Sequence, residues 1–134
     1  MKAVFWTLLC GIMLASCAEE EPEKKKEVPG PEVLVEIHGT DYVEYYPGRK
    51  QIKFEGTVDD SKARNGVWHH YNESGLEIST TEYKHGKKHG LSIVKYSNGQ
   101  LYYTGEYRDD KRAGVWRTYG RDGTMKKEVN YDEQ

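Results

Sequence analysis

Two six-residue stretches decide the fold of this chain: Gly66-Val67-Trp68-His69-His70-Tyr71 and Gly114-Val115-Trp116-Arg117-Thr118-Tyr119, which are identical at four of six positions. Around them, three series of residues recur at a spacing of 24: Gly66, Gly90 and Gly114; Gly75, Gly99 and Gly123; and Tyr83, Tyr107 and Tyr131. A fixed period of this length is typical of a repeat protein, in which each unit packs only on its neighbours.

The repeats are not identical. The middle unit carries Ser92 where a tryptophan is expected, and Tyr96 comes one position late. A further, degenerate unit lies upstream, where Ile52, Phe54, Gly56 and Val58 come 49 residues before Leu101, Tyr103, Gly105 and Tyr107. The alternation of apolar and polar residues is therefore kept, but the spacing is one residue longer than two periods of 24.

Apolar and aromatic residues alternate with polar ones inside each unit, which indicates strands with one buried face. Turns with glycine lie within the units, at Glu73-Ser74-Gly75, Ser97-Asn98-Gly99 and Arg121-Asp122-Gly123. Two seven-residue linking turns are expected between units, at 84–90 and 108–114. The sequence predicts an all-β domain over residues 33–134, an elongated single-layer meander of β-hairpins. Val33, Val35 and Ile37 are expected to form a capping strand.

These motifs resemble the MORN family of repeats. Tyr103-Thr104-Gly105-Glu106-Tyr107 followed by Gly114 resembles its core, and Gly86-Lys87-Lys88-His89-Gly90 resembles its inter-repeat turn. The longer period and the Gly-Val-Trp-x-x-Tyr blocks are similar to a bacterial MORN-variant group that is labelled the YwqK-family antitoxin. The resemblance implies a repeat fold and, through that label, a protein that neutralises a toxin.

Composition agrees with a thin β structure. The chain has 134 residues, among which Leu, Ile, Val and Phe are scarce while Tyr numbers 11 and Gly 14. So few aliphatic side chains exclude a compact helical bundle, because such a bundle needs a thick apolar core. The net charge of −2 provides no cationic field for nucleic acid, so we predict no nucleic-acid partner.

The N-terminal segment predicts export. Residues 1–16 hold one charge, an apolar run of about 12 residues and small residues at the end, as in a secretory signal peptide. Leu14-Ala15-Ser16-Cys17 resembles the lipobox of bacterial lipoproteins, which implies a lipid anchor at Cys17 and palmitate or a similar acyl chain in the membrane. Residues 17–32 are charged and contain three prolines, which predicts a disordered, lipidated tether. We expect a cell-envelope location, and Ala18 favours the outer membrane over the inner one.

Candidate chemistry is sparse. The histidines at 69, 70, 85 and 89 are the obvious metal ligands, but adjacent residues on a strand point to opposite faces, and Lys87 and Lys88 would repel a cation. No Gly-x-Ser-x-Gly motif is present, and Asp59-Asp60 and Asp109-Asp110 are interpreted as turn formers. The sequence therefore predicts no metal, no cofactor and no catalytic residue.

Basic residues at successive linking turns and an aromatic stripe predict a binding surface. The candidate partner-binding residues are Trp68, Tyr71, Trp116, Tyr119, Lys87 and Lys88. The leading hypothesis is a membrane-anchored, non-catalytic scaffold that binds an unknown protein partner. The alternatives are an immunity or antitoxin protein, and a glycan-binding or hydrolytic envelope protein.

Overall fold

The computed structural model describes residues 34–132, and these form one open sheet of nine antiparallel strands. The strands lie side by side in chain order, each paired with the next, so the prediction of an all-β, single-layer meander of hairpins is confirmed. The strands are β1 (Val35–His38), β2 (Asp41–Tyr45), β3 (Ile52–Val58), β4 (Arg64–Tyr71), β5 (Glu77–Lys84), β6 (Lys87–Lys95), β7 (Leu101–Arg108), β8 (Lys111–Tyr119) and β9 (Met125–Asn130).

Several predictions concern residues outside the described part. These are the signal peptide (1–16), the anchor at Cys17, the tether (17–32) and Val33. Val35 and Ile37 do lie in β1, which forms one edge of the sheet and pairs with β2.

From β4 onward, the turns alternate between two types. Turns after β4, β6 and β8 have five residues each, at 72–76, 96–100 and 120–124, and contain the glycines of the predicted internal turns. In the first of them, Asn72 N–H donates to the Leu76 carbonyl at 2.9 Å, and Gly75 N–H donates to the Asn72 carbonyl at 2.9 Å. The other two repeat this pattern. Gly75 has φ of 84°, a conformation that favours glycine.

The predicted seven-residue linking turns are wrong. His85-Gly86 and Asp109-Asp110 alone connect the strands, and the flanking residues belong to β5 to β8. All four turn residues have positive φ, from 48° to 82°, as in a tight two-residue turn whose twist matches that of the paired strands. Each tight turn also contacts the strand that precedes its own hairpin, which is β4 for the turn between β5 and β6 and is β6 for the turn between β7 and β8. Gly86 N–H donates to the Arg64 carbonyl at 2.8 Å, as Asp110 N–H does to the Lys88 carbonyl at 3.0 Å.

The 49-residue spacing of the upstream unit has a local cause. Val58 pairs with Arg64 and the equivalent Tyr107 pairs with Arg112, so five residues separate the first pair and four separate the second. The Asp59 carboxylate stabilises this loop by accepting bonds from the Ser61 and Ala63 amides, both at 3.0 Å. The extra residue is therefore absorbed outside the strands, and the register of the sheet is preserved.

The core is thin and follows the repeat. Among the described residues, the buried apolar side chains are Val58, Trp68, Ala113 and Trp116. Trp68 lies against Gly56 of the preceding strand, where a Cβ would come within 2.6 Å of the indole, and Trp116 covers Gly105 in the same way. Glycine is required at both positions because any side chain there would displace the indole.

The middle repeat replaces both partners of this contact. Ser92 is the repeat equivalent of the two tryptophans, and Thr81 stands where the other units have glycine. The Thr81 and Ser92 hydroxyls are 3.0 Å apart and hydrogen-bonded, and Ser92 is 2% exposed. Both residues of the contact are therefore changed together in the middle repeat. A hydrogen bond between two hydroxyls replaces the packing of an indole on a glycine.

Candidate functional site

One face of the sheet carries two clusters of aromatic rings, and we call it the aromatic face. Its members are Tyr42, Trp68, Tyr83, Tyr103, Tyr107, Trp116 and Tyr131, whose rings form two clusters. Tyr42 and Tyr83 flank Trp68, with ring centroids 4.9 and 6.3 Å away. Tyr103, Tyr107 and Tyr131 surround Trp116 at 5.6, 4.9 and 6.3 Å. Tilted and edge-on contacts at these distances are favourable ring geometries.

A series of cations lies over these rings at the repeat spacing. Arg64, Lys88 and Arg112 are 24 residues apart, and we call them the cation series. The Arg64 guanidinium lies 4.3 Å from the Trp68 ring centroid, and the Arg112 guanidinium lies 4.6 Å from that of Trp116. The Lys88 ammonium lies 4.9 Å from the ring centroid of Tyr107. The contacts are within the range in which a cation is attracted by a ring face.

The two arginines are also fixed by tyrosine hydroxyls. Arg64 Nη1 donates to Tyr83 Oη at 3.3 Å, and Arg112 Nη1 donates to Tyr131 Oη at 2.8 Å. The hydrogen bond to Tyr131 is the main cause that raises the pKa of Arg112. Within residues 34–132, no carboxylate forms an ion pair with any member of the cation series, although Glu44 of β2 lies on the same face, where it accepts a bond from Tyr42 at 3.2 Å.

Carboxylates of β4 to β9 lie on the opposite face, which we call the acidic face, where they are accompanied by basic side chains such as Lys95 and Arg117. Its four strand carboxylates are Glu77, Glu82, Glu106 and Glu128. Their positions follow from strand alternation and from contacts: His69 Nδ1 lies 2.8 Å from Glu77, and Arg117 Nε donates to Glu128 at 2.7 Å. The described sheet from β4 onward is therefore cationic and aromatic on one face and carboxylate-bearing on the other.

Each cluster borders a pocket, and the two pockets are repeat equivalents. The Arg64 pocket is lined by Phe54, Arg64, Trp68, His69, His70, Ser79, Thr81 and Tyr83. The Arg112 pocket is lined by Tyr102, Tyr103, Arg112, Trp116, Thr118, Lys127, Val129 and Tyr131. Six lining positions correspond at a spacing of 48, and Phe54 corresponds to Tyr103 at 49. The chain thus presents the same site twice, with different residues.

The substitutions close one pocket and open the other. Phe54 stacks on His70 with ring centroids 4.3 Å apart, and the Arg64 pocket has a volume of about 30 Å³. Thr118 replaces His70 in the Arg112 pocket, where the space is about 260 Å³. Lys127 replaces Ser79 and adds a second cation. The Arg112 pocket is therefore the larger and the more positive of the two.

The pKa of His70 is lowered, first by burial and then by the charges of Lys53 and Arg64, while Glu44 opposes the shift. His70 is thus held neutral beside Phe54. Its neighbour His69 lies on the acidic face, as expected for adjacent strand residues. Among the described residues, no three His, Cys, Asp or Glu side chains converge on a point where a metal would bind.

The predicted binding residues do not form one site. Trp68 and Trp116 share the aromatic face but are only 4 and 5% exposed, so they form its base. Lys88 belongs to the same face through Tyr107. Exposed Lys87 pairs with Lys84 beside the tight turn and projects toward the acidic face.

Tyr71 also lies on the acidic face. Its hydroxyl donates to Glu55 Oε1 at 2.5 Å, and this bond is the main cause that raises the pKa of Tyr71 to about 12. Tyr119 occupies the same repeat position as Tyr71, and its carbonyl accepts a bond from Tyr96 at 2.9 Å. Tyr71 lies three residues after Trp68 in β4, so strand alternation places the two side chains on opposite faces, with Tyr71 on the same face as His69.

Sequence reasoning missed the ordered role of Arg64 and Arg112, which it placed only in a row of basic turn residues. The signal is present in the sequence, since Arg64, Lys88 and Arg112 keep the repeat spacing. Asp59 and Asp122 do serve in turns: hydrogen bonds from Ser61 and Thr124, respectively, are the main causes that lower the pKa of each to about 2.

Comparison with protein-family models and with curated proteins gives no match for this chain. The resemblance to MORN repeats and to the antitoxin group therefore stays a prediction from the sequence motifs. In residues 34–132, no helix is long and apolar enough to cross a membrane.

Proposed function

We propose that this protein is a non-catalytic scaffold, anchored in the cell envelope through a lipid at Cys17, that binds a partner protein on its aromatic face. One observation carries the proposal. The cation series lies on that face in register with the repeats, and the face bears no carboxylate from β4 to β9. A row of cations attracts a surface of opposite charge and accelerates its association.

Orientation of these cations supports a binding role over a purely structural one. Two of the three are held by both a ring and a hydroxyl, so their positions are fixed before any partner arrives. Fixed side chains lose less conformational entropy on binding, and arginine and tyrosine are the residues that contribute most at protein interfaces. The proposal is thus of a preorganised surface, repeated along the sheet.

Site-specific photo-cross-linking tests the face. A photo-cross-linking amino acid replaces Thr118, on the aromatic face, in the full-length protein in its native membrane. The matched position is Arg117, the adjacent residue on the acidic face. We expect a cross-linked partner protein from position 118 and none from 117. Cross-links from 117 alone would contradict the proposal.

A second comparison tests the cations. The triple variant Arg64→Gln, Lys88→Gln, Arg112→Gln removes the series, while Lys84→Gln, Lys87→Gln, Lys111→Gln removes three charges near the same turns but from the acidic face. We expect the first variant to lose the cross-link at position 118 and the second to keep it. Equal yields, in variants shown to be folded, would overturn the role of the cations. A partner that proves to be a toxin would assign the immunity function instead of the scaffold.

A further inference from the structure

The Arg112 pocket differs from its repeat equivalent in a way that points to a ligand. Two cations, Arg112 and Lys127, line this pocket together with Thr118, and its volume is about 260 Å³. Within residues 34–132, neither cation forms an ion pair with a carboxylate. Hydrogen-bond donors of fixed position and uncompensated positive charge are the groups that recognise a carboxylate.

From this geometry we infer that the Arg112 pocket receives the carboxylate of a glutamate or aspartate side chain from an acidic segment of the partner protein. This inference rests on the proposed function and assigns the chemistry of its contact. The guanidinium of Arg112 is oriented by its bond to Tyr131 Oη at 2.8 Å and by a second hydrogen bond to Tyr107, and the N–H groups that these tyrosines do not occupy bind the ligand. Lys127 supplies the second positive charge from the neighbouring strand.

The state of Trp116 favours a peptide carboxylate over a sugar. An acidic glycan would be recognised largely by stacking on an exposed ring, but Trp116 is 5% exposed. Arg112 covers the indole, and the rings of Tyr107 and Tyr131 meet it edge-on at 81° and 78°. Of the aromatic rings that line the pocket, that of Tyr102 is exposed, at 40%, while Trp116 is covered, so the charged and hydroxyl donors are the main groups that the pocket offers.

The Arg64 pocket provides an internal control. It keeps the arginine, but Phe54 stacked on His70 fills the space, and Ser79 stands where the other pocket has Lys127. Its volume is about 30 Å³, against about 260 Å³ in the Arg112 pocket. Of the two repeat-equivalent sites, the Arg112 pocket therefore offers the ligand much more room and a second cation.

The two indole N–H groups report on the two pockets separately. Trp116 Nε1 donates to the Glu106 carbonyl at 3.0 Å, and Trp68 Nε1 donates to the Thr57 carbonyl at 2.8 Å. The experiment is a titration of the full-length protein in detergent micelles with a ten-residue polyglutamate peptide, followed by the nuclear magnetic resonance signals of both groups. We expect a saturable shift of the Trp116 signal, no shift of the Trp68 signal, and weaker binding at high salt.

Variants then assign the charge. Lys127→Gln removes the exposed cation of the pocket and should raise the Kd of the peptide about tenfold, the loss expected for one charge-assisted contact. Lys126→Gln is the matched control, because Lys126 is the adjacent residue and pairs with Asp122 at 3.2 Å. It should leave the Kd unchanged. Lys127→Arg should restore binding.

Three results would overturn the inference: no saturable shift at Trp116, equal shifts at both indoles, or an equal loss of affinity in the Lys126 and Lys127 variants. Tighter binding of polyglucuronate than of polyglutamate at this pocket would also overturn it, since the ligand would then be an acidic glycan. Failure of the peptide titration with the cross-link at Thr118 intact would remove only the carboxylate assignment. Loss of the cross-link itself would remove the proposed function.

Discussion

The indole of Trp116 lies so close to the α-carbon of Gly105 on the neighbouring strand that no side chain fits between them. Trp68 and Gly56 repeat this contact two hairpins earlier. In both repeats the tryptophan is therefore buried against a glycine, which has no side chain to obstruct the indole. In a single-layer sheet, which has no second layer to cover an indole, this pairing is how the aromatic side chain is removed from water.

Gly105→Ala should expel the Trp116 indole from its position. We expect a loss of about 2 to 3 kcal/mol in the free energy of unfolding, as in overpacked cores. The control is Gly123→Ala, where nothing lies within 4 Å of the added carbon and the φ of 78° alone opposes the substitution. Its cost should be about 1 kcal/mol. Urea denaturation measures both, and only the Gly105 variant should shift tryptophan fluorescence to the red. Equal fluorescence would contradict the contact.

Ser92→Trp should destabilise the protein on its own and be rescued by Thr81→Gly. The new indole would meet Thr81 where the other repeats have glycine, which we expect to cost about 1 to 3 kcal/mol. Thr81→Gly alone should cost about 1 kcal/mol, because glycine weakens a strand. The double variant should be more stable than the sum of the two losses implies. A double-mutant cycle by urea denaturation checks this, and strict additivity would show that the two positions do not form an equivalent pair.

The stability of the protein should fall as the pH decreases below about 6.5, owing to His70. The pKa of His70 is lowered in the folded protein, so the unfolded chain takes up the proton first. The stability that neutral His70 contributes is fully present above the pKa of this residue in the unfolded chain. It is lost as the pH falls toward the pKa of His70 in the folded protein. Urea midpoints at pH 7.5 and 5.5 measure the change. His70→Phe, which keeps a ring to stack on Phe54, should show a smaller pH dependence, and an unchanged one would argue against this role.

Deletion of 24 residues should leave a shorter sheet of the same design. Removal of residues 80–103 joins Ser79 to Thr104 and leaves seven strands, with Gly105 at the position that Thr81 occupied. We expect a folded β protein of lower urea midpoint by circular dichroism. Removal of residues 80–102 is the control, since the loss of one residue fewer inverts the face of every later side chain in that strand. That control should not fold, and two equally folded deletions would contradict the repeat register.

Much of the architecture follows from the sequence because glycine, tryptophan and tyrosine are constrained at fixed positions. Gly75 needs positive φ and Trp68 needs Gly56, so the period directly gives the strands and the five-residue turns. The tight turns were harder to predict. Asp109 and Asp110 adopt positive φ without glycine, and the residues around them resemble a loop in composition although they lie in strands.

The candidate site was predicted only in part, for two physical reasons. The prediction grouped Trp68 and Tyr71 because they belong to one repeated motif, but they are three residues apart on one strand, and alternation places them on opposite faces. The second reason is the difference between the two pockets. In the Arg64 pocket, the stacked rings of Phe54 and His70 occupy the space. The volume of each pocket is therefore set by side-chain packing, which the spacing of residues in the sequence does not reveal.

Every strand of the described sheet pairs only with its predecessor and successor in the chain. Such a molecule behaves as a one-dimensional lattice with nearest-neighbour coupling. Folding can start at any hairpin and spread in both directions, without the slow closure of long loops that strands distant in sequence require. For the same reason, a gene that gains or loses one 24-residue unit changes the length of the row of cations and aromatic rings and leaves the other units unchanged. Under the proposed function, natural selection would thereby adjust the number of contacts to the partner independently of the remaining sheet.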